Sequence, residues 1–183
     1  MFISTTAQEN SENYYISGKI KVLVGLDITI PSEITIKIEP LNRYEVTDSL
    51  GIFRFDNIKP GKYRIKIVES RYLQTDTLIE LKHNSITNLN LLIKAVCDVD
   101  ETIAERDINE NKPRLLLRGG IAAIFYYNQH DFEKKYNISY FDFGCVGPAR
   151  ECIVHYNKRI FQYLDSKFGK EWRKDVRRDV LGL

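Results

Sequence analysis

The first half of this 183-residue chain is predicted to fold as a β-sandwich, and two observations predict it. Apolar and polar residues alternate along short segments, as at 34–38 and again at 63–67, which is the period of a half-buried strand. Turn-forming residues separate these segments at short intervals. Because one sheet cannot bury its own apolar face, a second layer must cover it. We therefore expect an all-β, seven-stranded antiparallel sandwich of transthyretin-like or immunoglobulin-like type over residues 14–95.

The best-defined part of this sandwich is the segment 47–63. Asp48 and Gly51 supply turn chemistry, since Asp hydrogen-bonds to the following backbone and Gly accepts a positive φ. Phe53 and Phe55 then alternate with polar residues. Pro60 and Gly61 form the next turn. The predicted strands are 15–24, 34–39, 43–47, 52–56, 62–68, 77–82 and 86–93.

After Ala95 the pattern changes to that of a smaller, mainly helical α+β domain, predicted over residues 113–183. An acidic segment at 96–112 is expected to be a linker or a short helix. A long helix is predicted from about Pro148 to Phe168, because apolar residues recur there at helical spacing.

Composition excludes several classes of function. A net charge of +2 predicts no strong attraction to nucleic acid, and no apolar run is long enough for a membrane span. No catalytic motif, phosphate-binding loop or cofactor fingerprint is present. We therefore predict no catalytic, cofactor-binding or metal-binding residues. The sequence does not specify the oligomeric state.

Residues 1–13 leave the compartment open. They are either a disordered N-terminus or the remnant of a secretory signal ending near Ala7. The first alternative fits a cytoplasmic protein that starts at Met1. The second fits a periplasmic, cell-surface or secreted protein.

The N-terminal half resembles the carboxypeptidase regulatory-like domain, a transthyretin-like β-sandwich. The resemblance rests on residues 16–20 in the first strand, on Thr47-Asp48 with Gly51 and Phe53, and on Pro60-Gly61-Lys62-Tyr63. It departs from the family pattern at 25–32. The resemblance implies a non-catalytic accessory module, often found in exported or envelope proteins of bacteria. The C-terminal half resembles the tails of uncharacterised bacterial proteins, which imply no activity.

Two cysteines near the predicted long helix allow two interpretations. A disulfide between Cys145 and Cys152, or burial of Cys152, is favoured because cysteine is among the most buried residue types. The alternative is a thiol-dependent enzyme in which Cys145 or Cys152 is the nucleophile and His155 the base. A zinc site from these three residues would lack a fourth ligand.

A dense group of aromatic residues in the C-terminal half is a candidate binding surface for a peptide or a glycan. The residues of this group assigned to the surface are Tyr126, Tyr127, Tyr140 and Phe141. The alternative, which we favour, is that the aromatic residues of this half form its core.

The sequence thus favours a non-enzymatic accessory or binding module of the bacterial cell envelope, with a protein or glycan partner. A thiol enzyme and a purely structural domain are the alternatives.

Overall fold

The computed structural model describes residues 13–31, 33–73, 76–122, 124 and 126–183, so nearly all of the predicted N-terminal segment 1–13 lies outside it. The first part contains β1 (Tyr14–Val24), β2 (Asp27–Thr29), β3 (Thr35–Glu39), β4 (Arg43–Val46), β5 (Ile52–Ile58), β6 (Gly61–Ile67), β7 (Tyr72–Leu73), β8 (Thr77–Leu81) and β9 (Ile86–Ala95). The second contains α1 (Glu101–Asn109), β10 (Arg114–Leu117), α2 (Gln129–Tyr136), β11 (Ser139–Asp142), α3 (Arg150–Phe168) and a 3₁₀ turn (Glu171–Lys174).

Strands β1 to β9 form two sheets. One has the order β2-β1-β9-β7, with β5 also paired to β1, and the other is the antiparallel sheet β4-β3-β6-β8. Alternate residues along the strands are buried, as the period of two requires. The buried side chains include Ile16, Ile20, Val22, Ile34, Ile36, Ile38, Phe53, Phe55, Tyr63, Ile65, Ile67, Leu81 and Ile93. The predicted β-sandwich is therefore present.

Two details of the predicted sandwich are corrected. In the described residues it has nine strands rather than seven, because the short strands β2 and β7 join one sheet. It is also not wholly antiparallel, since β1 and β9 run parallel, with Ile20 opposite Leu91. Alternation of side chains reveals burial but not strand direction, which depends on how the chain crosses between the sheets.

The turn before β5 has the predicted geometry. Asp48 Oδ1 accepts hydrogen bonds from the backbone N–H groups of Leu50 and Ile52, both at 2.8 Å. Gly51 has φ +75°, and a Cβ placed on it would lie 2.5 Å from the carbonyl oxygen of Ile20. Glycine is thus required both for the dihedral angle and for the close approach to β1. The region 25–32, where the family resemblance fails, contains β2, which pairs with β1.

The second part of the chain contains a small parallel sheet of β10 and β11, connected through α2. Side chains occupy both outer edges of this sheet. Asn157 of α3 accepts a hydrogen bond from the Leu116 N–H and donates one to the Leu116 carbonyl, each at 2.8 Å. On the other edge, Glu133 accepts a hydrogen bond from the Tyr140 N–H at 2.9 Å. These contacts satisfy backbone groups that a two-stranded sheet would otherwise leave unpaired.

Helix α3 is the central element of this second part. Its buried residues face α1 and β10, and Arg159 forms an ion pair with Glu105 of α1 at 2.5 Å. Phe161 packs on Trp172 of the 3₁₀ turn with ring centroids 5.4 Å apart. The division into domains at 14–95, 96–112 and 113–183 stays a prediction, and buried residues of both parts belong to one hydrophobic cluster.

Candidate functional site

A polar cleft of about 830 Å³ lies between the sandwich and the second part of the chain. We call it the arginine cleft, because arginine side chains lie on both of its walls. Its lining residues are Glu33, Thr35, Val46, Thr47, Asp48, Ser49, Glu69, Arg71, Tyr72, Arg118, Gly119 and Arg150. The volume falls within the roughly 300–1,000 Å³ that is usual for small-ligand sites.

Two of the three carboxylates on the sandwich wall, those of Glu69 and Asp48, are already hydrogen-bonded or ion-paired. Glu69 accepts a hydrogen bond from the Thr35 N–H at 3.2 Å and pairs with Arg71 at 3.3 Å. Asp48 is engaged by the backbone of its own turn. Thr47 is buried, and its hydroxyl accepts a hydrogen bond from the Ile34 N–H at 2.9 Å. These bonds fix Glu69, Asp48 and Thr47 before any ligand arrives, whereas Glu33 has no hydrogen bond or ion pair within the described residues.

The opposite wall carries Arg118 and Arg150. Arg118 and Gly119 directly follow β10, and Arg150 is the first residue of α3. This wall therefore lies at the carboxyl end of a parallel strand, where open α/β units usually bind their ligands. Both arginines are exposed, and within the described residues neither forms an ion pair or a side-chain hydrogen bond. Their guanidinium donors are available to a ligand.

The loop beneath Arg118 is held in place by one carboxylate. Asp142, the last residue of β11, accepts hydrogen bonds from the N–H groups of Gly119 and Gly144, both at 2.8 Å. A Cβ on Gly119 would lie 2.3 Å from an oxygen of this carboxylate. A side chain at position 119 would therefore break the contact that ties the loop after β10 to the loop after β11.

Two contacts fix the two walls relative to each other. The buried hydroxyl of Tyr72 donates a hydrogen bond to Glu151 at 2.9 Å. Burial and the adjacent Glu151 carboxylate raise the pKa of this hydroxyl, which therefore stays protonated as the donor. A disulfide joins Cys97, just after β9, to Cys152 in α3. The cleft is therefore preformed, which lowers the entropic cost of binding.

This disulfide corrects the pairing predicted from the sequence. Cys152 is bonded to Cys97 and not to Cys145, which is an exposed free thiol in the loop before α3. Proximity along the chain favoured the pair 145 and 152. The sandwich, however, brings the end of β9 against the first turn of α3, so residues 55 positions apart meet.

The thiol-enzyme hypothesis loses one of its two nucleophiles for the same reason. Cys152 carries no free thiol, and His155 lies 3.8 Å from Asp27 of β2. Cys145 remains a free thiol, but within the described residues no hydrogen bond joins it to His155. The described residues therefore show no hydrogen-bonded pair of nucleophile and base of the kind that this hypothesis requires.

The four aromatic residues predicted as a binding surface do not form one surface. Tyr126 and Tyr140 lie beside the guanidinium of buried Arg177. Their ring centroids are 4.6 and 5.3 Å from its central carbon. Burial raises the pKa of Tyr140 to about 12. Phe141, the next residue of β11, packs on Phe143 with ring centroids 4.9 Å apart. Since successive strand residues point to opposite faces, Phe141 and Tyr140 are separated, whereas Tyr127 is fully exposed.

Sequence reasoning did not identify the arginines of the cleft. Arg71, Arg118 and Arg150 belong to no motif and lie far apart in the chain. The usable signal was the position of Arg118, between the apolar run 115–117 and a Gly-Gly pair. A polar residue at the end of a buried strand is a common location for ligand contacts.

Other types of site receive no support from the described part of the chain. Within it, no group of three or more His, Cys, Asp or Glu residues is arranged to hold a metal ion. None of its helices combines the length and the apolar character that crossing a membrane requires.

No family model matches the chain, and no curated protein matches it. Among solved structures, the minor pilin GBS52 of Streptococcus agalactiae is 17% identical with a TM-score of 0.39, over 46% of this chain and 45% of the pilin. A chain of a type II cohesin–X–dockerin complex from Acetivibrio cellulolyticus is 16% identical with a TM-score of 0.37, over 62% of this chain and 80% of that one. The major pilin BcpA of Bacillus cereus is 13% identical with a TM-score of 0.34, over 46% of this chain and 30% of the pilin. Likenesses this distant assign neither a family nor a function.

Proposed function

We propose that this chain is a non-enzymatic binding module of an exported or cell-envelope protein, and that the arginine cleft is its binding site. One observation carries the proposal. The cleft is preformed, and it presents the unpaired guanidinium groups of Arg118 and Arg150 opposite a wall on which two of the three carboxylates, Glu69 and Asp48, already have partners. Its first half acts as an accessory domain of the carboxypeptidase regulatory-like type.

The chemistry of the cleft favours binding over catalysis. Its described lining contains neither histidine nor cysteine, the groups most used as base and nucleophile near neutral pH. The hydroxyl of Thr47 is engaged by backbone rather than by a general base. A cleft of this kind offers hydrogen bonds and charge to a ligand, and no hydrogen bond in its described lining joins a nucleophile to a general base.

The disulfide supports location in an oxidising compartment. Structural disulfides persist in secreted, periplasmic and cell-surface proteins and are rare in the cytosol of most organisms. The bond between Cys97 and Cys152 joins the two walls of the cleft, so the binding site as described depends on such a compartment.

The experiment that tests the proposal is a binding screen with matched variants. The oxidised protein is applied to a glycan array and a peptide array. The double variant Arg118→Ala/Arg150→Ala is compared with Arg178→Ala, which removes an exposed arginine that lies outside the cleft and has no ion pair in the described residues.

We expect at least one ligand that binds the wild type and Arg178→Ala equally and the double variant at least tenfold more weakly. Circular dichroism and thermal unfolding of each variant confirm that the fold is kept. A screen without any ligand would overturn the proposal in favour of a purely structural domain. Ligands that bind the double variant as tightly as the wild type would also overturn it, as would chemical conversion of a bound ligand.

A further inference from the structure

We propose that the ligand of the arginine cleft is an acidic oligosaccharide, with its carboxylate held by Arg118 and Arg150 and its hydroxyls held by the sandwich wall. This inference rests on the proposed function, since it assigns a ligand class to the same cleft.

The wall formed by Arg118 and Arg150 favours an anionic group. An exposed guanidinium presents planar donors in a fork that matches a carboxylate in a bidentate arrangement. Arg71 differs from these two residues because Glu69 already pairs with it. The anion-binding capacity of the cleft is therefore concentrated on one wall, at the loop after β10 and the first residue of α3.

The sandwich wall excludes a ligand that is negative along its whole length. Glu33, Asp48 and Glu69 lie there, so the lining carries as many acids as arginines. A polyphosphate or nucleic-acid backbone placed across the cleft would bring phosphates against these carboxylates, which is unfavourable. The ligand that fits has its charge on the side that faces Arg118 and Arg150 and neutral hydrogen-bonding groups on the side that faces the sandwich wall.

Hydroxyl groups suit the remainder of this wall. Carboxylates accept hydrogen bonds from hydroxyls, and the side chains of Thr35 and Ser49 add further polar atoms. Peptides are usually held by apolar or aromatic anchors in pockets of matching shape. In the described lining, Val46 is the aliphatic side chain, and the Tyr72 ring is 4% exposed. The wall therefore fits a sugar better than a peptide side chain.

The experiment compares acidic oligosaccharides with neutral counterparts of the same size. Isothermal titration of the oxidised protein uses trigalacturonate against galactotriose, 3′-sialyllactose against lactose, and a hyaluronan tetrasaccharide against cellotetraose. An Asp/Glu-rich hexapeptide is the fourth probe. Each titration is repeated with Arg118→Ala, Arg150→Ala and the control Arg178→Ala.

We expect at least one acidic sugar to bind tenfold or more tightly than its neutral counterpart. Arg118→Ala and Arg150→Ala should each weaken that binding about tenfold, and Arg178→Ala should leave it unchanged. Glu33→Gln should weaken the hydrogen bonds from the sugar hydroxyls to the sandwich wall. It should therefore lower the affinity for acidic and neutral sugars alike, about threefold.

The remaining outcomes separate this inference from the proposed function. Tighter binding of the hexapeptide, or equal binding of acidic and neutral sugars, would overturn the acidic-sugar inference. If binding of the hexapeptide or of the equally bound sugars is still lost in the arginine variants, the cleft remains a binding site. Absence of binding by all of these sugars would overturn the inference too, and the broader array then decides whether the proposed function also fails.

Discussion

Tyr72 at the start of β7 donates a buried hydrogen bond of 2.9 Å to Glu151 in the first turn of α3. The two residues are 79 positions apart, and they lie on opposite sides of the junction between the sandwich and the second part of the chain. Together with the nearby disulfide, this bond sets the width of the arginine cleft. The stability of the junction and the geometry of the binding site are therefore linked.

The variant Tyr72→Phe tests this link. It keeps the ring and removes a donor to a buried carboxylate, so we expect the free energy of unfolding to fall by about 1–3 kcal/mol. Urea denaturation followed by fluorescence measures the change. Tyr44→Phe, at a tyrosine that is 55% exposed, is the matched control and should change stability by less than about 0.5 kcal/mol. Equal effects in the two variants would show that the bond does not stabilise the junction.

The disulfide is expected to contribute more to the free energy of unfolding than the hydrogen bond between Tyr72 and Glu151. It closes a loop with a sequence separation of 55, for which the loop-entropy relation gives about 4 kcal/mol. Cys97→Ser/Cys152→Ser should lose roughly this amount in urea denaturation, whereas Cys145→Ser should be close to neutral. Intact-mass analysis of the folded wild type after alkylation should show a single modified thiol. Modification of all three cysteines in the native protein would contradict the assigned bond.

The amide of Asn157 gives a third prediction. It is fully buried, it satisfies both backbone groups of Leu116, and it also donates to the carbonyl of Leu181 at 3.0 Å. Asn157→Leu leaves these buried groups without partners, and we expect a loss of about 3 kcal/mol or more. Asn90→Leu, at an exposed asparagine, is the control. Stability unchanged in Asn157→Leu would mean that water or a shifted strand replaces the amide.

Much of the sandwich could be predicted from the sequence because its signals are local. Alternation of apolar residues and the Asp48–Gly51 turn depend on neighbouring residues alone, and the structure contains the corresponding strands and turn. The long helix begins at Arg150 rather than at Pro148 and ends at Phe168 as expected, because its apolar stripe is equally local.

The features that were missed depend on contacts between distant segments. The parallel pairing of β1 with β9 and the bond of Cys97 to Cys152 follow from the path of the chain between sheets. The arginine cleft has the same origin, since Arg71 and Arg118 come to line one cleft only after the two parts have packed together. No spacing in the sequence encodes these encounters, so residue patterns alone could not reveal the candidate site.

Gly18 gives a prediction about the centre of the sandwich. It lies in β1 between β9 and β5, and a Cβ placed on it would be 2.2 Å from the Leu89 carbonyl oxygen and 2.9 Å from the Phe53 ring. Gly18→Ala should therefore destabilise the protein by about 1–3 kcal/mol through overpacking. Gly120→Ala is the control, because nothing lies within 4 Å of the added methyl group. A neutral Gly18→Ala would show that β9 can move away from β1 at little cost.

The buried carboxylate of Asp107 makes stability depend on pH. Burial raises its pKa, but hydrogen bonds from the Tyr156 hydroxyl at 2.6 Å and from Arg114 at 2.6 and 3.0 Å outweigh burial, so the pKa lies below its ordinary value. A carboxylate with a lowered folded-state pKa stabilises the fold above its unfolded pKa of about 4, and this contribution is lost as the pH falls further. Urea midpoints measured between pH 7 and pH 2.5 should therefore decrease in the acidic part of this range.

Asp107→Asn removes the titrating group and separates its effect from that of other acids. The variant should be less stable than the wild type at pH 7, because Arg114 loses its charged partner. Its stability should also fall less steeply below pH 4, by up to about 1.4 kcal/mol per pH unit. Tyr156→Phe removes one of the hydrogen bonds that lower the pKa of Asp107. The pH dependence of its stability should therefore lie between those of the wild type and Asp107→Asn. Parallel curves for the wild type and Asp107→Asn would show that this carboxylate titrates alike in the folded and unfolded chains, and the difference at pH 7 would then reflect lost hydrogen bonds alone.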